Sequence, residues 1–312
     1  MSWLPYAALA ALATSLTGAA AQAPLPGASE IEVLDLERDG YKRMTVDVTI
    51  QGQGPFRFMI DTGAQATVLS RALADQLMLH NREPALLVGM ASSMMVETTP
   101  IDGLTLGSRS FYIRQAPVIE GEHIGGADGI LGLDSLQDQR VLLDFNRREI
   151  SVADAENSGS NRGYEIVVRA RERLGQLIIT SAQLDGVPVD VVVDTGAQGS
   201  VGNMALFERL RRNRSLGETE LTDVNGNTLS GLVRVAGQLQ IGRASLNNFP
   251  LMFTDSRPFH TLGLADKPAM ILGMEELRLF RRVAIDFRNR RVLFDLPPSA
   301  GLPLRFLPSG LR

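Results

Sequence analysis

The chain contains no cysteine and only three histidines. The absence of cysteine excludes disulfide bonds, thiol catalysis, zinc–thiolate sites and an acylated lipoprotein anchor. The histidines, His80, His123 and His260, are scattered and have no partner at the spacing of metal ligands. We therefore predict neither a metal site nor a cofactor.

The chain also lacks a strong excess of charge, with a formal net charge of −4. Its basic clusters, Arg209–Arg214 and Arg281–Arg291, are interrupted by acidic and apolar residues and read as solvated faces. Nucleic acid is therefore not expected as a partner. A composition of 44% hydrophobic and 21% charged residues is typical of a folded soluble protein with a substantial core.

A long uncharged run occurs only near the N-terminus, at Tyr6–Ala23. We predict that residues 1–23 form a secretory signal peptide cleaved near Ala21 or Ala23, which makes the protein periplasmic or secreted. No Lys or Arg precedes the run, so an uncleaved N-terminal anchor facing the periplasm is the alternative. After cleavage no stable membrane insertion is expected, because no other segment approaches transmembrane length.

The most informative feature is an internal repeat. Phe58–Val68 reads FMIDTGAQATV and Val191–Val201 reads VVVDTGAQGSV. Four further pairs of segments match in the same order, at a separation that grows slowly along the chain: Gly54–Phe56 with Val187–Val189, Leu104–Gly107 with Leu239–Gly242, Ile130–Leu133 with Ile271–Met274, and Arg140–Phe145 with Arg282–Phe287. The chain is therefore a duplicated unit with insertions in its second copy.

Each copy is predicted to be mostly β, because short segments rich in β-branched and aromatic residues alternate with Gly and Pro turns. Examples are Met44–Ile50, Phe56–Ile60, Leu177–Leu184 and Pro188–Val193. We predict an all-β protein with two tandem lobes, residues 30–153 and 164–296, and one or two short helices in each. Residues 154–163 form the predicted linker, and residues 297–312 a predicted irregular tail.

A helix is predicted after each Asp-Thr-Gly motif, and a hairpin after the second helix. The predicted helices are Arg71–Leu79, capped by Ser70 with Leu73, Leu77 and Met78 inward, and Met204–Arg212, capped by Asn203 with Leu206, Phe207 and Leu210 inward. Asn225-Gly226 predicts a tight hairpin in which both residues have positive φ. The first copy offers only Val88–Met95 as the counterpart of this hairpin.

Asp61 and Asp194 occupy the same place in the two copies, each after three apolar residues at the end of a predicted strand. A carboxyl there costs free energy unless the protein uses it. Two lobes related by a pseudo-twofold axis can bring equivalent residues face to face. Two carboxyls within hydrogen-bond distance hold one proton between them, so one can activate water while the other donates to a substrate carbonyl. The glycine after each Asp-Thr permits a tight turn beside the carboxyl.

On these residues the chain resembles the retropepsin-like aspartic proteases, in their bacterial single-chain form with two tandem units. The resemblance covers about Met44 to Leu296. The residues that carry it are Asp61-Thr62-Gly63-Ala64 with Thr67, Asp194-Thr195-Gly196-Ala197 with Ser200, Ile130-Leu131-Gly132 and Ile271-Leu272-Gly273. Aspartic proteases are the established example of shared-proton chemistry, so that mechanism is carried over from the family.

The resemblance implies an aspartic endopeptidase that acts on protein or peptide substrates, with Asp61 and Asp194 as the catalytic pair. It implies that Thr62 and Thr195 exchange hydrogen bonds across the axis. It also implies that the backbones of Gly63 and Gly196 accept hydrogen bonds from an extended substrate.

Further substrate contacts are expected from the hairpins and from an apolar lining near the two aspartates. The predicted contact residues are Met90, Met94, Asn225, Gly226, Ile130 and Ile271. Gln65 and Gln198 depart from the family pattern, in which a small or acidic residue is usual. This departure bears on substrate specificity.

Two alternatives share this fold. One is a catalytically silent peptide-binding module, although a binder has no use for two buried aspartates. The other is a protease whose lobes pair between chains, so that only a dimer is active. A linker of about ten residues reaches roughly 33 Å, enough to join two lobes within one chain, and we therefore predict a monomer. A serine hydrolase is set aside because the Gly-x-Ser-x-Gly motif is absent.

Overall fold

The computed structural model of the chain describes residues 32–35, 37–38, 44–155, 161, 163–210, 215–297 and 304–305. The predicted signal peptide lies outside the described residues, as does most of the predicted linker and tail. In the described part, no helix is both long enough and apolar enough to cross a membrane.

The first lobe is built from short strands and three single-turn or slightly longer helices. Its strands are β1 (Glu32–Asp35), β2 (Glu37–Arg38), β3 (Met44–Ile50), β4 (Gln53–Ile60), β5 (Val68–Ser70), β6 (Glu83–Val88), β7 (Ser93–Leu106), β8 (Arg109–Ile119), β9 (Gly129–Leu131), β10 (Gln139–Asp144) and β11 (Glu149–Asp154). Its helices are α1 (Arg71–Gln76), a 3-10 turn (Gly121–Ile124) and α2 (Leu133–Leu136).

The second lobe repeats this plan. Its strands are β12 (Ile166–Arg169), β13 (Arg171–Arg173), β14 (Gln176–Leu184), β15 (Val187–Val193), β16 (Val201–Gly202), β17 (Ser215–Thr222), β18 (Thr228–Ile241), β19 (Ala244–Phe253), β20 (Ala269–Leu272), β21 (Arg282–Asp286), β22 (Arg291–Asp295) and β23 (Leu304–Arg305). Its helices are α3 (Met204–Arg209), α4 (Arg257–Thr261) and α5 (Met274–Leu277).

The two lobes have the same strand order. In the first, the order is β2-β3-β4-β9-β5-β8-β7-β6, and β3 also pairs with β7, which curls the sheet into a barrel-like shape. In the second, the order is β13-β14-β15-β20-β16-β19-β18-β17, with β14 pairing to β18 in the same way. The predicted all-β class and the two tandem lobes are thus confirmed.

A third sheet joins the lobes. Its order is β1-β11-β10-β21-β22-β12, three strands from each copy, with β10 and β21 antiparallel at the centre. A buried ion pair crosses this junction, in which Arg140 Nε donates to Asp286 Oδ2 at 3.1 Å. Removing one partner of such a pair would leave a buried charge uncompensated, so the pair helps to fix how the lobes meet.

The helices after the Asp-Thr-Gly motifs begin where predicted but end earlier. Ser70 Oγ accepts from Leu73 N at 3.1 Å, and Asn203 Oδ1 accepts from Leu206 N at 2.9 Å, as N-caps do. The inward placement of Met78 is wrong: it lies past the end of α1 at φ 52° and is 71% exposed. Each lobe has three short helices among its described residues, counting the 3-10 turn of the first, where one or two were expected. β23 pairs with β19 within the tail predicted to be irregular.

The hairpin at Asn225-Gly226 is present between β17 and β18, but its turn is wider than predicted. The loop runs from Asp223 to Asn227, and of the two residues only Gly226 has positive φ, at 77°. Asp223 Oδ1 accepts from the backbone N–H groups of Asn225 and Asn227, at 2.9 and 3.0 Å. The side chain of Asp223 therefore supports a longer loop, and Asn225 does not need the left-handed conformation.

Candidate active site

The two Asp-Thr-Gly loops begin where a buried strand ends beside a parallel neighbour. β4 runs parallel to β9, and Asp61 N continues the ladder by donating to Leu131 O at 3.0 Å. In the second lobe β15 runs parallel to β20, and Asp194 N donates to Leu272 O at 3.1 Å. The apolar residues before each aspartate are buried, so packing of the strand sets the position of the carboxyl.

The glycine of each Ile-Leu-Gly motif allows the Asp-Thr-Gly loop to lie directly against the following turn. A Cβ built on Gly273 would lie 2.6 Å from Gly199 O, and one built on Gly132 would overlap the backbone of Ala66. Any larger residue would push the loop away. The second repeated motif is therefore required by the close approach of two backbones.

Asp61 and Asp194 meet between the lobes, each against the glycine of the other loop. A Cβ on Gly63 would overlap the Asp194 carboxyl, and a Cβ on Gly196 would overlap the Asp61 carboxyl. Asp194 is 9% exposed. Burial, the charge of Asp61 and a carboxyl–carboxyl hydrogen bond to Asp61 raise the pKa of Asp194 to about 8. The pair therefore holds a proton at neutral pH.

Each carboxyl is oriented by its own loop. Asp61 Oδ1 accepts from Gly63 N at 2.8 Å and Ala64 N at 2.9 Å. Asp194 Oδ1 accepts from Gly196 N at 2.8 Å and Ala197 N at 3.2 Å. One oxygen of each carboxyl is thus held by backbone donors, and the other faces the opposite lobe.

Thr62 and Thr195 exchange hydrogen bonds across the pseudo-twofold axis. Thr62 Oγ1 donates to Val193 O at 2.9 Å and accepts from Thr195 N at 3.1 Å. Thr195 Oγ1 donates to Ile60 O at 2.7 Å and accepts from Thr62 N at 3.1 Å. These four buried bonds tie the two loops together with the geometry that the resemblance implies.

Behind the loops the two lobes differ. In the first, Thr67 Oγ1 donates to the exposed Asp134 at 2.6 Å and accepts from Gly132 N at 3.2 Å. In the second, Ser200 Oγ accepts from Gly273 N at 3.0 Å and bonds Glu276 Oε2 at 2.5 Å. Glu276 takes the place of the small Ser135 of the first lobe.

Glu276 is a completely buried carboxyl, with 0% exposure, and its Oε1 has no hydrogen-bond partner among the described residues. Burial raises its pKa to about 8, against the opposing effect of the bond to Ser200. The group is therefore protonated at neutral pH and supports the second Asp-Thr-Gly loop as a neutral side chain.

A second difference concerns the predicted acceptor at Gly63. Its carbonyl already accepts a hydrogen bond from Gln176 Nε2 of the second lobe, at 2.5 Å. The carbonyl of Gly196 accepts none from the described residues. Contact of both carbonyls with substrate stays a prediction, and at Gly63 one of the two lone pairs of the carbonyl oxygen is already occupied by a side chain.

One hairpin from each lobe reaches across to the other lobe. Flap 1 comprises β6, the tip Gly89–Ser92 and the start of β7; flap 2 comprises β17, the tip Asp223–Asn227 and the start of β18. Met90 packs against a second-lobe cluster that contains the buried Ile271. Val224 packs against a first-lobe cluster that contains the buried Ile130. Ala197 and Ala64, which follow the two Asp-Thr-Gly motifs, pack against the same two clusters.

Three further predicted contact residues lie on the flaps. Asn225 is 9% exposed at the tip of flap 2, and Gly226 lies so close to His123 that a Cβ would contact its ring. Met94 lies just beyond the tip of flap 1, paired with Leu87, and is 42% exposed. Substrate contact by these residues stays a prediction.

Sequence reasoning missed Gln176, Glu276 and Asp223. Gln176 and Asp223 lie in polar hairpins, where nothing in the sequence shows which carbonyl or N–H they reach. Glu276 could have been noticed, because it stands in the second copy where Ser135 stands in the first. Among the described residues no group of three or more His, Asp or Glu could hold a metal ion.

Comparison with known families agrees with this geometry. Residues 46–138 match the family described as gag-polyprotein putative aspartyl protease, and residues 180–275 match the family described as aspartyl protease. No curated protein matches the chain. With one such domain in each lobe, the chain belongs to the retropepsin-like aspartic proteases.

Proposed function

We propose that the protein is an aspartic endopeptidase that hydrolyses extended polypeptides by activating water on an Asp61/Asp194 dyad. The observation that carries the proposal is the contact of the two carboxyls across the pseudo-twofold axis, with the pKa of Asp194 raised to about 8. A buried pair that keeps one proton at neutral pH has both an acid and a base for peptide hydrolysis.

In this mechanism the ionised Asp61 takes a proton from a water molecule, which attacks the peptide carbonyl carbon. Asp194 donates its proton to the carbonyl oxygen, so the tetrahedral intermediate forms without a full negative charge. The proton on Asp61 then passes to the leaving nitrogen as the C–N bond breaks, and the hydroxyl returns its proton to Asp194. The Thr62–Thr195 bonds hold both loops during these transfers.

The flaps and the apolar clusters support a peptide substrate bound in extended form. Flap hairpins offer main-chain groups to an extended chain, and alternate side chains of that chain then point to opposite sides. Met90, Ile130 and Ile271 favour apolar side chains on both sides of the scissile bond. The free Gly196 carbonyl is the acceptor for a substrate N–H, with Gly63 available only through its second lone pair.

The continuous sheet β1-β11-β10-β21-β22-β12 supports a monomeric enzyme, because both lobes of one chain already form a complete dyad. Rate per chain should not change on dilution. A rate that falls together with a shift from dimer to monomer in sedimentation would favour pairing of lobes between chains. We place the mature protein in the periplasm or outside the cell, to be checked by N-terminal sequencing of protein recovered from the periplasmic fraction.

The deciding experiment compares Asp61→Asn and Asp194→Asn on a quenched peptide with an apolar scissile pair. Each should lower kcat/KM by roughly a thousandfold or more, since each removes one of two proton-transferring groups. Circular dichroism and melting curves serve as the check on folding. A single mutant that keeps more than a few per cent of the activity would contradict the dyad, and a wild type that binds but never cleaves would indicate a silent peptide-binding module.

A further inference from the structure

One carboxylate connects the tips of the two flaps. Asp223 Oδ2, on flap 2, accepts from Ala91 N at 3.1 Å and from Ser92 N at 3.0 Å, both on flap 1. It also accepts from Ser92 Oγ at 2.9 Å. Hydrogen bonds to an ionised acceptor are about twice as strong as neutral ones, so three of them at one oxygen are a substantial link.

The surroundings of Asp223 are built for this contact. Its other oxygen is held by the backbone of its own loop, and the residue is only 4% exposed. The Ser92 hydroxyl, which donates to Asp223, accepts from Asn225 Nδ2 at 2.9 Å and from Asn227 Nδ2 at 3.0 Å. Flap 2 thus contacts the tip of flap 1 through three polar side chains.

The link is one-sided, although the flaps come from a duplication. The residue of flap 1 that corresponds to Asp223 is Gly89, and a Cβ built there would lie 2.5 Å from Asp223 Oδ2. The tip of flap 1 has four residues between its strands and that of flap 2 has five. One flap therefore supplies the carboxylate, and the other supplies a glycine and two N–H groups to receive it.

Flap 1 is also fastened to the opposite lobe. Met90 O accepts from Arg257 N at 3.2 Å and from Ser256 Oγ at 3.1 Å, at the start of α4. Met90 and Val224 also pack against the apolar clusters of the opposite lobes, so each flap tip is held by the other lobe.

We propose that Asp223 clasps the two flaps into a single closed lid in the free protein, and that this clasp must open before a polypeptide reaches the dyad. The second half of the proposal rests on the proposed function; the clasp itself does not. When the clasp opens, hydrogen bonds to water replace the three hydrogen bonds that Asp223 Oδ2 accepts from flap 1. The two flaps then move separately.

The clasp is tested by hydrogen exchange at the amides of Ala91 and Ser92 in the free protein. In Asp223→Asn both amides should exchange about tenfold faster than in wild type, because the charged acceptor is lost. Glu220→Gln, which removes an exposed carboxylate from the same flap, is the matched control and should leave both rates unchanged. Unaltered protection at Val191–Val193 shows that the fold is intact. Equal rates in Asp223→Asn and wild type would overturn the proposal.

A second variant addresses the same contact from flap 1. Gly89→Ala should also speed exchange at Ala91 and Ser92, because its methyl group displaces the carboxylate. In Asp223→Gly there is no carboxylate to displace, so adding Gly89→Ala should change the rates no further. Independent, multiplying effects of the two substitutions would mean that Gly89 and Asp223 do not act through one contact.

The opening step is tested by locking the tips covalently. Ser92→Cys with Asn225→Cys places two thiols where the Ser92 and Asn225 side chains now touch, and the chain has no other cysteine. Reduction of the disulfide form should raise peptide hydrolysis by at least about tenfold, as expected when a required opening is released. A disulfide form as active as the reduced form would overturn the opening step. If wild type itself shows no peptide hydrolysis while the exchange results hold, the proposed function fails and the clasp stands.

Discussion

The two lobes match closely at the axis between them and diverge away from it. Asp61 and Asp194, and Thr62 and Thr195, have near-identical hydrogen bonds in the two copies. A residue on the pseudo-twofold axis contacts its own counterpart, so a change in one copy must also suit the other. This constraint does not apply to residues that contact only their own lobe.

Away from the axis the second lobe carries features that the first does not have. Glu276 is buried where the first lobe has Ser135, Gln176 reaches across to one catalytic loop only, and Asp223 occupies the place of Gly89. The second copy also contains inserted residues between Gly242 and Ile271, in the stretch that forms α4 and the seat for Met90. The duplicated fold is therefore symmetric at the axis between the lobes and asymmetric in the side chains that contact the Asp-Thr-Gly loops and the flap tips.

The largest expected effect is a pH dependence of the proposed activity, set by the proton that Asp61 and Asp194 share. The pKa of Asp194 is raised to about 8, so activity should fall about tenfold per pH unit above that value as its proton is lost. On the acidic side, activity should fall when the pair takes up a second proton, which gives a bell-shaped profile. The measurement is kcat/KM against pH, with folding checked at each point. A flat profile across the range in which the protein stays folded would contradict the shared proton.

The next effect tests the difference between Glu276 and Ser135. Because the folded-state pKa of Glu276, about 8, exceeds its ordinary value, its stabilising contribution is complete at low pH and is lost as pH rises towards 8. In Glu276→Gln this loss disappears, so the variant should gain on the order of 1–3 kcal/mol over wild type between pH 5 and pH 8. Denaturant unfolding at both pH values measures it. Ser135→Thr in the first lobe is the control, and parallel pH dependence in wild type and Glu276→Gln would refute the raised pKa of Glu276.

A smaller and symmetric effect is expected at the threonines. Thr62→Val and Thr195→Val each remove a hydroxyl that donates one buried hydrogen bond and accepts another, at a cost of about 1–3 kcal/mol of unfolding free energy. The double mutant should cost less than the sum, because the two residues share their contacts. Serine at either position should restore most of the stability. Clearly unequal losses of unfolding free energy in the two single mutants would show that the two threonines are not energetically equivalent, although their hydrogen bonds match.

The smallest effect tests the one-sided contact of Gln176. Gln176→Leu removes the hydrogen bond to Gly63 O and should cost about 1 kcal/mol, while freeing that carbonyl for substrate. KM for a long peptide should then fall modestly while kcat stays close to wild type. Gln183→Leu, on the same strand but exposed, is the control. An unchanged KM with unchanged stability would mean that the hydrogen bond from Gln176 to the Gly63 carbonyl does not limit substrate binding.

The repeat, the β class and the pairing of Asp61 with Asp194 could be predicted before any coordinates, and the family resemblance implied the exchange between Thr62 and Thr195. The pairing follows from duplication, because equivalent residues can meet at a twofold axis. The caps Ser70 and Asn203 were predictable because they act within one turn of the chain. The ends of those helices were not, because packing rather than propensity decides where they stop.

Only the tertiary structure decided what Gln176, Asp223 and Glu276 do. Their partners lie far along the chain, so no sequence pattern contains both ends of the contact: Gly63 for Gln176, Ser92 for Asp223, Ser200 for Glu276. The raised pKa of Glu276 likewise arises from burial, which is a property of the packed lobe and not of its neighbours in sequence. The sequence by itself determined the symmetric pair of aspartates, because it repeats the motif that contains them. Only the folded chain decided the asymmetric contacts of these three side chains and the closed flaps, because those depend on distances between segments far apart in sequence.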